Sequence, residues 1–340
     1  MRTVIKAREG DVVETLNRVL FDVKGLVHPP ERVVAFIRFI PDPNGDRKRD
    51  ETAYRKVYAL EERYALLERA FPQYLAHDQV FDEHLCEVPV KAIAHYYKPA
   101  ERLQDLLRSD ELDEVESQAR QFIKLLKETA NVPWSKLGIS GSILVKLHMS
   151  ASDIDPIVYG SESCHKVYST LKALLENEES PVRPYDSEEL KRLFDFRSKD
   201  TLMAFEDFVR TESRKVLQGK FMGRDYFIRF VKDWNEFEER YGAVRYTSEG
   251  YAKIRAMVVD DSEAIFTPCL YKICGVEVLE GVRVEPIEEI VSFRGRFCEQ
   301  AKNGEVVVAR GKVERVQRAE KPEYYRLLLG NKVSDHMILL

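Results

Sequence analysis

Two carboxylates two positions apart, Asp153 and Asp155, follow a Ser140-Gly141-Ser142 turn, and Ser152 comes ten residues after Ser142. Residues i and i+2 of a strand point to one face, so the two aspartates can hold one Mg²⁺ while Ile154 packs behind them. A Gly-Ser pair opening a helix offers free backbone N–H groups, a hydroxyl and a favourable dipole to phosphate. Magnesium is bound by one or two carboxylates together with the phosphates of its substrate. Both halves of the pattern therefore suit one ligand, a metal-bound nucleoside triphosphate (NTP).

The flanking sequence supplies the elements that such a pattern needs. Val132 to Ile139 reads as a strand entering the turn, Ser142 to His148 as a short helix, and Asp153 to Tyr159 as an apolar strand closed by Gly160. Ser161 N-caps a further helix reaching Leu175, with Val167, Leu171, Leu174 and Leu175 at helical spacing. Upstream, Pro99 to Glu128 is mainly helical. Its stripe runs from Leu103, Leu106 and Leu107 across an acidic break at Asp110–Glu114 to Val115, Ala119, Phe122, Ile123 and Leu126. Downstream, Arg214 to Val231 reads as a hairpin whose second strand begins at Asp225. Period two places Asp225, Phe227 and Arg229 on one face.

At Gly141-Ser142 and Ser152-Asp153-Ile154-Asp155 the chain resembles the DNA polymerase β-like nucleotidyltransferase superfamily and, more narrowly, the predicted nucleotidyltransferases of archaea. The superfamily resemblance covers roughly a third of the chain, from about Leu112 to Val231. It implies an α/β fold with a nucleotidyltransferase-like mixed sheet and helices. It also implies Mg²⁺- or Mn²⁺-dependent transfer of a nucleoside monophosphate from an NTP to a hydroxyl acceptor. Asp153 and Asp155 would bind the metals. Asp225 would be the third carboxylate, binding a metal or taking the acceptor proton. If the family position falls on Phe227 instead, two carboxylates remain and the chain would bind nucleotide without efficient transfer. Gly141, Ser142 and Ser152 would meet the nucleotide. Lys146, one helical turn after Ser142, either reaches the β- or γ-phosphate or faces solvent. Arg229 shares the Asp225 face and would contact phosphate, within a window from Thr211 to Lys232 that holds six Lys or Arg against two acids and otherwise reads as a solvated hairpin.

Two similar stretches flank this core. Pro30 to Phe39, Asn44-Gly45, Lys56-Val57 and Tyr64–Leu67 recur in the same order as Pro286 to Phe297, Asn303-Gly304, Lys312-Val313 and Tyr325–Leu328. Asn-Gly between alternating apolar residues signals a hairpin, so both stretches read as small β-rich units. They are either an internal duplication or two unrelated regions sharing turn chemistry. The division expected is a β-rich unit over 1–100, the nucleotidyltransferase-like domain over 101–250 and a second β-rich unit over 251–340.

Composition bounds the remaining classes. The 44% hydrophobic fraction fits a globular chain, no run is long enough for a membrane span, and Met1–Gly10 lacks the apolar core of a secretory leader. Five cysteines without a Cys-x-x-Cys argue for a reducing, cytoplasmic setting and against structural zinc. The seven histidines show no ligand spacing, and Walker-type and Gly-x-Gly-x-x-Gly runs are absent. His148 reads as a helix-end cap. From Ile290 to Lys332, ten Lys or Arg face five acids among four aromatic residues. That bias points to an RNA or other nucleic-acid acceptor, or is an ordinary charged surface. A net charge of −5 disfavours general duplex binding. Oligomeric state is not written in these features.

Overall fold

A computed structural model describes residues 6–237 and 239–340, so the first half of the stretch read for a leader lies outside the described residues. The N-terminal part is built from β1 (Val12–Thr15), β2 (Leu20–Val23), β3 (Arg32–Pro41), β4 (Arg47–Arg49), β5 (Thr52–Lys56), α1 (Leu60–Ala70), β6 (Leu75–Asp78), β7 (Glu83–Pro89) and β8 (Ile93–Tyr97). Its sheet runs β4-β5-β3-β2-β1-β8, and the end of β7 pairs with β3. Alternation gives the sheet two apolar faces. Val13, Phe21, Val23, Ala35 and Ile37 pack with Leu66 and Leu67 of α1, whereas Val12, Leu20, Phe39 and Tyr54 form a second cluster. The β2–β3 ladder slips between them: Phe21 faces Ile37, Leu20 faces Phe39, and Arg38 is left as the extra residue of a β-bulge.

The middle of the chain contributes α2 (Pro99–Arg108), α3 (Glu114–Thr129), β9 (Leu137–Ile139), α4 (Gly141–Leu144), β10 (Pro156–Tyr159), α5 (Ser161–Glu176), β11 (Val182–Arg183), β12 (Gln218–Phe221), β13 (Arg224–Phe227) and β14 (Arg229–Val231). This is the expected order of elements around the turn, with the strands shorter and Gly160 as the cap of α5. The acidic break holds Asp113, which closes a capping box with Glu116 at the start of α3. Every residue named for the α3 stripe is buried. Strands order β14-β10-β9, with β10 parallel to β14 and antiparallel to β9. Ile157, Tyr159 and Val231 line one face of this sheet and pack with Leu26 and Ala100.

Apart from most of β6 and the start of β7, these two parts belong to one compact unit, 1–75 with 86–184 and 216–238; the second unit comprises 76–85, 185–215 and 239–340. Most of the first two expected pieces therefore falls in one unit. In the second unit stand α6 (Ser187–Arg197), α7 (Phe205–Glu212), β15 (Val244–Asp260), β16 (Cys269–Gly281), β17 (Ile287–Ser292), β18 (Val306–Arg318), β19 (Tyr324–Leu329) and β20 (His336–Leu339). Pairings β15-β16-β17-β19-β18 close on themselves through β15–β18, and β20 adds to β18. The result is a small barrel without free edges along those five strands.

The expected duplication does not appear in the pairing. β3 pairs antiparallel with β5, and Tyr64–Leu67 is helical, whereas β17 runs parallel to β19, which contains Tyr325–Leu328. Asn-Gly fixes only the turn. Burial of Leu60, Leu66 and Leu67 on one helical face makes α1, while the continuous apolar run of β19 is buried on both faces. The fold is thus a mixed α/β one, with several sheets and seven α-helices among the described residues. No described helix is long and apolar enough to cross a membrane.

Candidate functional site

Asp153 and Asp155 precede β10 and lie on the face that Ile157 continues, because side chains alternate along the strand. The Asp155 carbonyl accepts from the Ser140 N–H at 2.8 Å, fastening the acidic segment to the turn. Gly141 has φ +63°, and a Cβ placed on it would lie 1.9 Å from Asp155 Oδ2. The carboxylate therefore occupies the space that glycine leaves, and the backbone is in the left-handed region glycine tolerates. Ser140 Oγ donates to the Gly10 carbonyl at 2.6 Å. Ser142 Oγ is buried without a hydrogen-bond partner.

Neither Asp153 nor Asp155, both half-buried, takes a side-chain hydrogen bond or ion pair among the described residues. Burial and the charge of Asp153 push the Asp155 carboxyl up to about 7, opposed by Arg229, Lys56 and Arg38. Two of those cations, Arg229 and Arg38, pair with a second set of acids. Fully buried Glu9 accepts from Lys24 Nζ at 2.8 Å and the Gly25 N–H at 2.8 Å, and its Oε1 lies 3.3 Å from Arg229. Asp22 lies 3.3 Å from Arg38, whose guanidinium stands 4.7 Å from the Tyr58 ring centre. Arg47 donates to the Leu147 carbonyl at 2.6 Å, just past α4. The donor set fits a divalent cation: two adjacent carboxylates with open lone pairs, a glycine cradle and an orphaned hydroxyl.

The other residues expected from sequence each have contacts of their own. Ile154 bridges to Tyr226 in parallel, a register that sets Asp225 beside Asp153 and Phe227 beside Asp155. The Asp225 carboxylate is exposed and paired with Lys220 at 3.0 Å. Ser152 Oγ closes its own turn by accepting from the Met149 N–H at 2.9 Å. Arg229 is drawn to Glu9. Lys146, exposed with φ +55°, lines a cavity of about 490 Å³ with Arg18, Arg49, Tyr97 and Lys98. None of Asp153, Asp155 and Ser142 lines that cavity.

Glu9, Asp22, Lys24, Arg38, Arg47 and Lys56 were not singled out as site residues from sequence. About a hundred residues separate them from Asp153, and no spacing rule links them; only the fold does. Likewise, Asp113, Glu116 and His148 meet within 4.8 Å, although histidine spacing gave no sign of it. Both acids there are already used, Asp113 as the α3 cap bonded to His148 and Glu116 as the partner of buried Arg102. The basic C-terminal stretch is largely neutralised within its own unit. Arg294, Arg296, Arg310, Lys312, Arg315, Arg318 and Arg326 all form ion pairs with Asp or Glu.

The raised pKa of Asp155 has a thermodynamic consequence. The folded, metal-free protein holds this proton to higher pH than the unfolded chain, whose carboxyl titrates near 3.8. The associated stability is present below about pH 4 and is lost as pH rises through about 7. Unfolding in chelator should therefore show stability falling by roughly 2 kcal/mol between about pH 5 and 8. Asp155→Asn should flatten that slope; an unchanged slope in the variant would place the titration elsewhere.

Over 334 residues the chain is 32% identical to an uncharacterized protein of Methanocaldococcus jannaschii, covering 96% of each chain. It belongs to the same family as that archaeal protein. No family model matches the sequence, and no solved structure matches it.

Proposed function

We propose that this protein is a Mg²⁺-dependent nucleotidyltransferase that moves a nucleoside monophosphate from an NTP to a hydroxyl acceptor, on a nucleotidyltransferase-like fold. The observation that carries the reading is the meeting of two unpartnered carboxylates, Asp153 and Asp155, with the glycine cradle of Gly141 and the orphaned hydroxyl of Ser142. Mg²⁺ or Mn²⁺ bound there would neutralise the attacking and leaving oxygens of an in-line displacement at the α-phosphorus. Asp153 and Asp155 hold the metal, and Ser142 offers its hydroxyl to the nucleotide. Asp225, level with Asp153, takes the acceptor proton once Lys220 releases it.

The Asp225–Lys220 pair favours a second reading, a nucleotide-binding module without turnover. Incubation with α-labelled NTPs, Mg²⁺ or Mn²⁺ and a pool of cellular RNA, protein and small molecules separates the two. In the enzyme, label transfers to an acceptor. Asp225→Ala lowers transfer on the order of a hundredfold or more while NTP affinity stays within about twofold. Tight Mg-NTP binding with no transfer to any pool would leave the binding module. An RNA acceptor draws little support from the self-paired C-terminal arginines, so the pool includes all three acceptor classes.

A further inference from the structure

We propose that the polyphosphate of the substrate is held by the N-terminal sheet, with Lys56 and Arg38 as its phosphate ligands across from Asp153 and Asp155. This rests on the metal-nucleotide reading of the same site and adds to it the side chains that hold the phosphates beyond the one attacked.

Packing places the sheet. Val12, Leu20, Phe39 and Tyr54 cluster with Leu144, Val145 and Leu147, so one face of β1–β3 and β5 lies directly on α4 and its exit turn. Lys56 is the ladder partner of Phe39, and partners across a ladder project to the same face. Lys56 therefore stands on the face that meets the Gly-Ser segment. The bulge at Arg38 frees that residue from strict alternation, and Arg38 reaches Asp22 on this same side.

Charge pairing then singles out Lys56. Glu9 is shared by Lys24 and Arg229, and Asp22 takes Arg38. Lys56 is left half-buried, its ammonium 4.8 Å from the Tyr58 ring centre, with no ion pair or hydrogen bond among the described residues. Burial and the charge of Arg38 lower its pKa, while Tyr58, Asp153 and Asp155 oppose them. So Lys56 lies within the electrostatic reach of both aspartates, yet outside the 4 Å of an ion pair. An unpaired ammonium within electrostatic reach of two unpaired carboxylates is what a metal-bound anion requires: carboxylates on the metal, ammonium and the nearby guanidinium on the phosphates. Desolvated charges left without partners are costly, and such a bridging ligand would relieve both sets at once.

Calorimetry with Mg-ATP, Mg-tripolyphosphate and AMP tests this on wild type, Lys56→Gln, Lys56→Arg, Arg38→Gln and Asp153→Asn/Asp155→Asn. Lys56→Gln should weaken Mg-ATP and Mg-tripolyphosphate about tenfold or more and leave AMP unchanged, with Lys56→Arg recovering most of the loss. Lys56 has no counter-ion to strand, so its variant folds and carries the test even if Arg38→Gln does not. Equal Mg-tripolyphosphate affinity in wild type and Lys56→Gln, with Mg-ATP lost only in the aspartate variant, would overturn the proposal and leave the function intact. Absence of Mg-ATP and Mg-tripolyphosphate binding in the wild type would overturn both.

Discussion

Replacing both aspartates, Asp153→Asn with Asp155→Asn, is expected to abolish Mg²⁺-dependent NTP binding and to raise stability in the absence of metal. Two half-buried like charges repel, and burial already drives Asp155 toward its neutral form. Asparagine keeps the shape, removes the repulsion and supplies N–H donors, but it cannot neutralise a divalent cation. Binding should drop below detection while the metal-free protein gains on the order of 1–2 kcal/mol. The gain should vanish at acidic pH, where Asp155 is protonated in the wild type as well. Loss of binding together with a large loss of stability would mean that the carboxylates serve the fold. Retained Mg-NTP affinity would remove them from any ligand.

Gly141→Ala should disable the same site without touching a charged group. The new Cβ would fall 1.9 Å from Asp155 Oδ2 and 2.8 Å from Cγ, at a backbone φ of +63°. Either Asp155 swings away or the turn moves, and the left-handed conformation adds a cost of about 1–2 kcal/mol. Displacing a metal ligand by an ångström or more costs on the order of a hundredfold in a positioned reaction. Mg-NTP affinity and transfer should both fall by about that factor, with unfolding still cooperative. Gly304→Ala, where φ is +86° but nothing lies within 4 Å, serves as the control. It should lose a little stability and no binding. Equal binding losses in the two variants would refer the effect to backbone strain alone.

What could be read from the sequence was local. Strand, turn, helix, strand and helix around Gly141-Ser142 followed from periodicity and caps, as did the buried α3 stripe. The proximity of Asp153 and Asp155 followed from period two. Lys146 was read from its distance to Ser142 and Ser152 from the Ser-Asp-Ile-Asp run, and the fold gives each a local setting that neither reading contained. The turn after α4 carries Lys146 to a cavity that the aspartates do not line, and the Ser152 hydroxyl accepts a hydrogen bond that closes its own turn. The repeat was inferred from turn residues, which fix hairpins but not whether distant strands run parallel. The placement of Lys56 and Arg38 had no sequence signal at all. It exists because a bulge turns Arg38 and because Phe39 packs on α4, both consequences of long-range pairing.

The most direct test is anomalous diffraction from crystals soaked with Mn²⁺ and a non-hydrolysable NTP analogue. The expected map has a manganese peak between Asp153 and Asp155, with the triphosphate running from Ser142 toward Lys56 and Arg38. Manganese held instead by Asp113, Glu116 and His148, or no peak at the aspartates with the nucleotide bound elsewhere, would contradict the account.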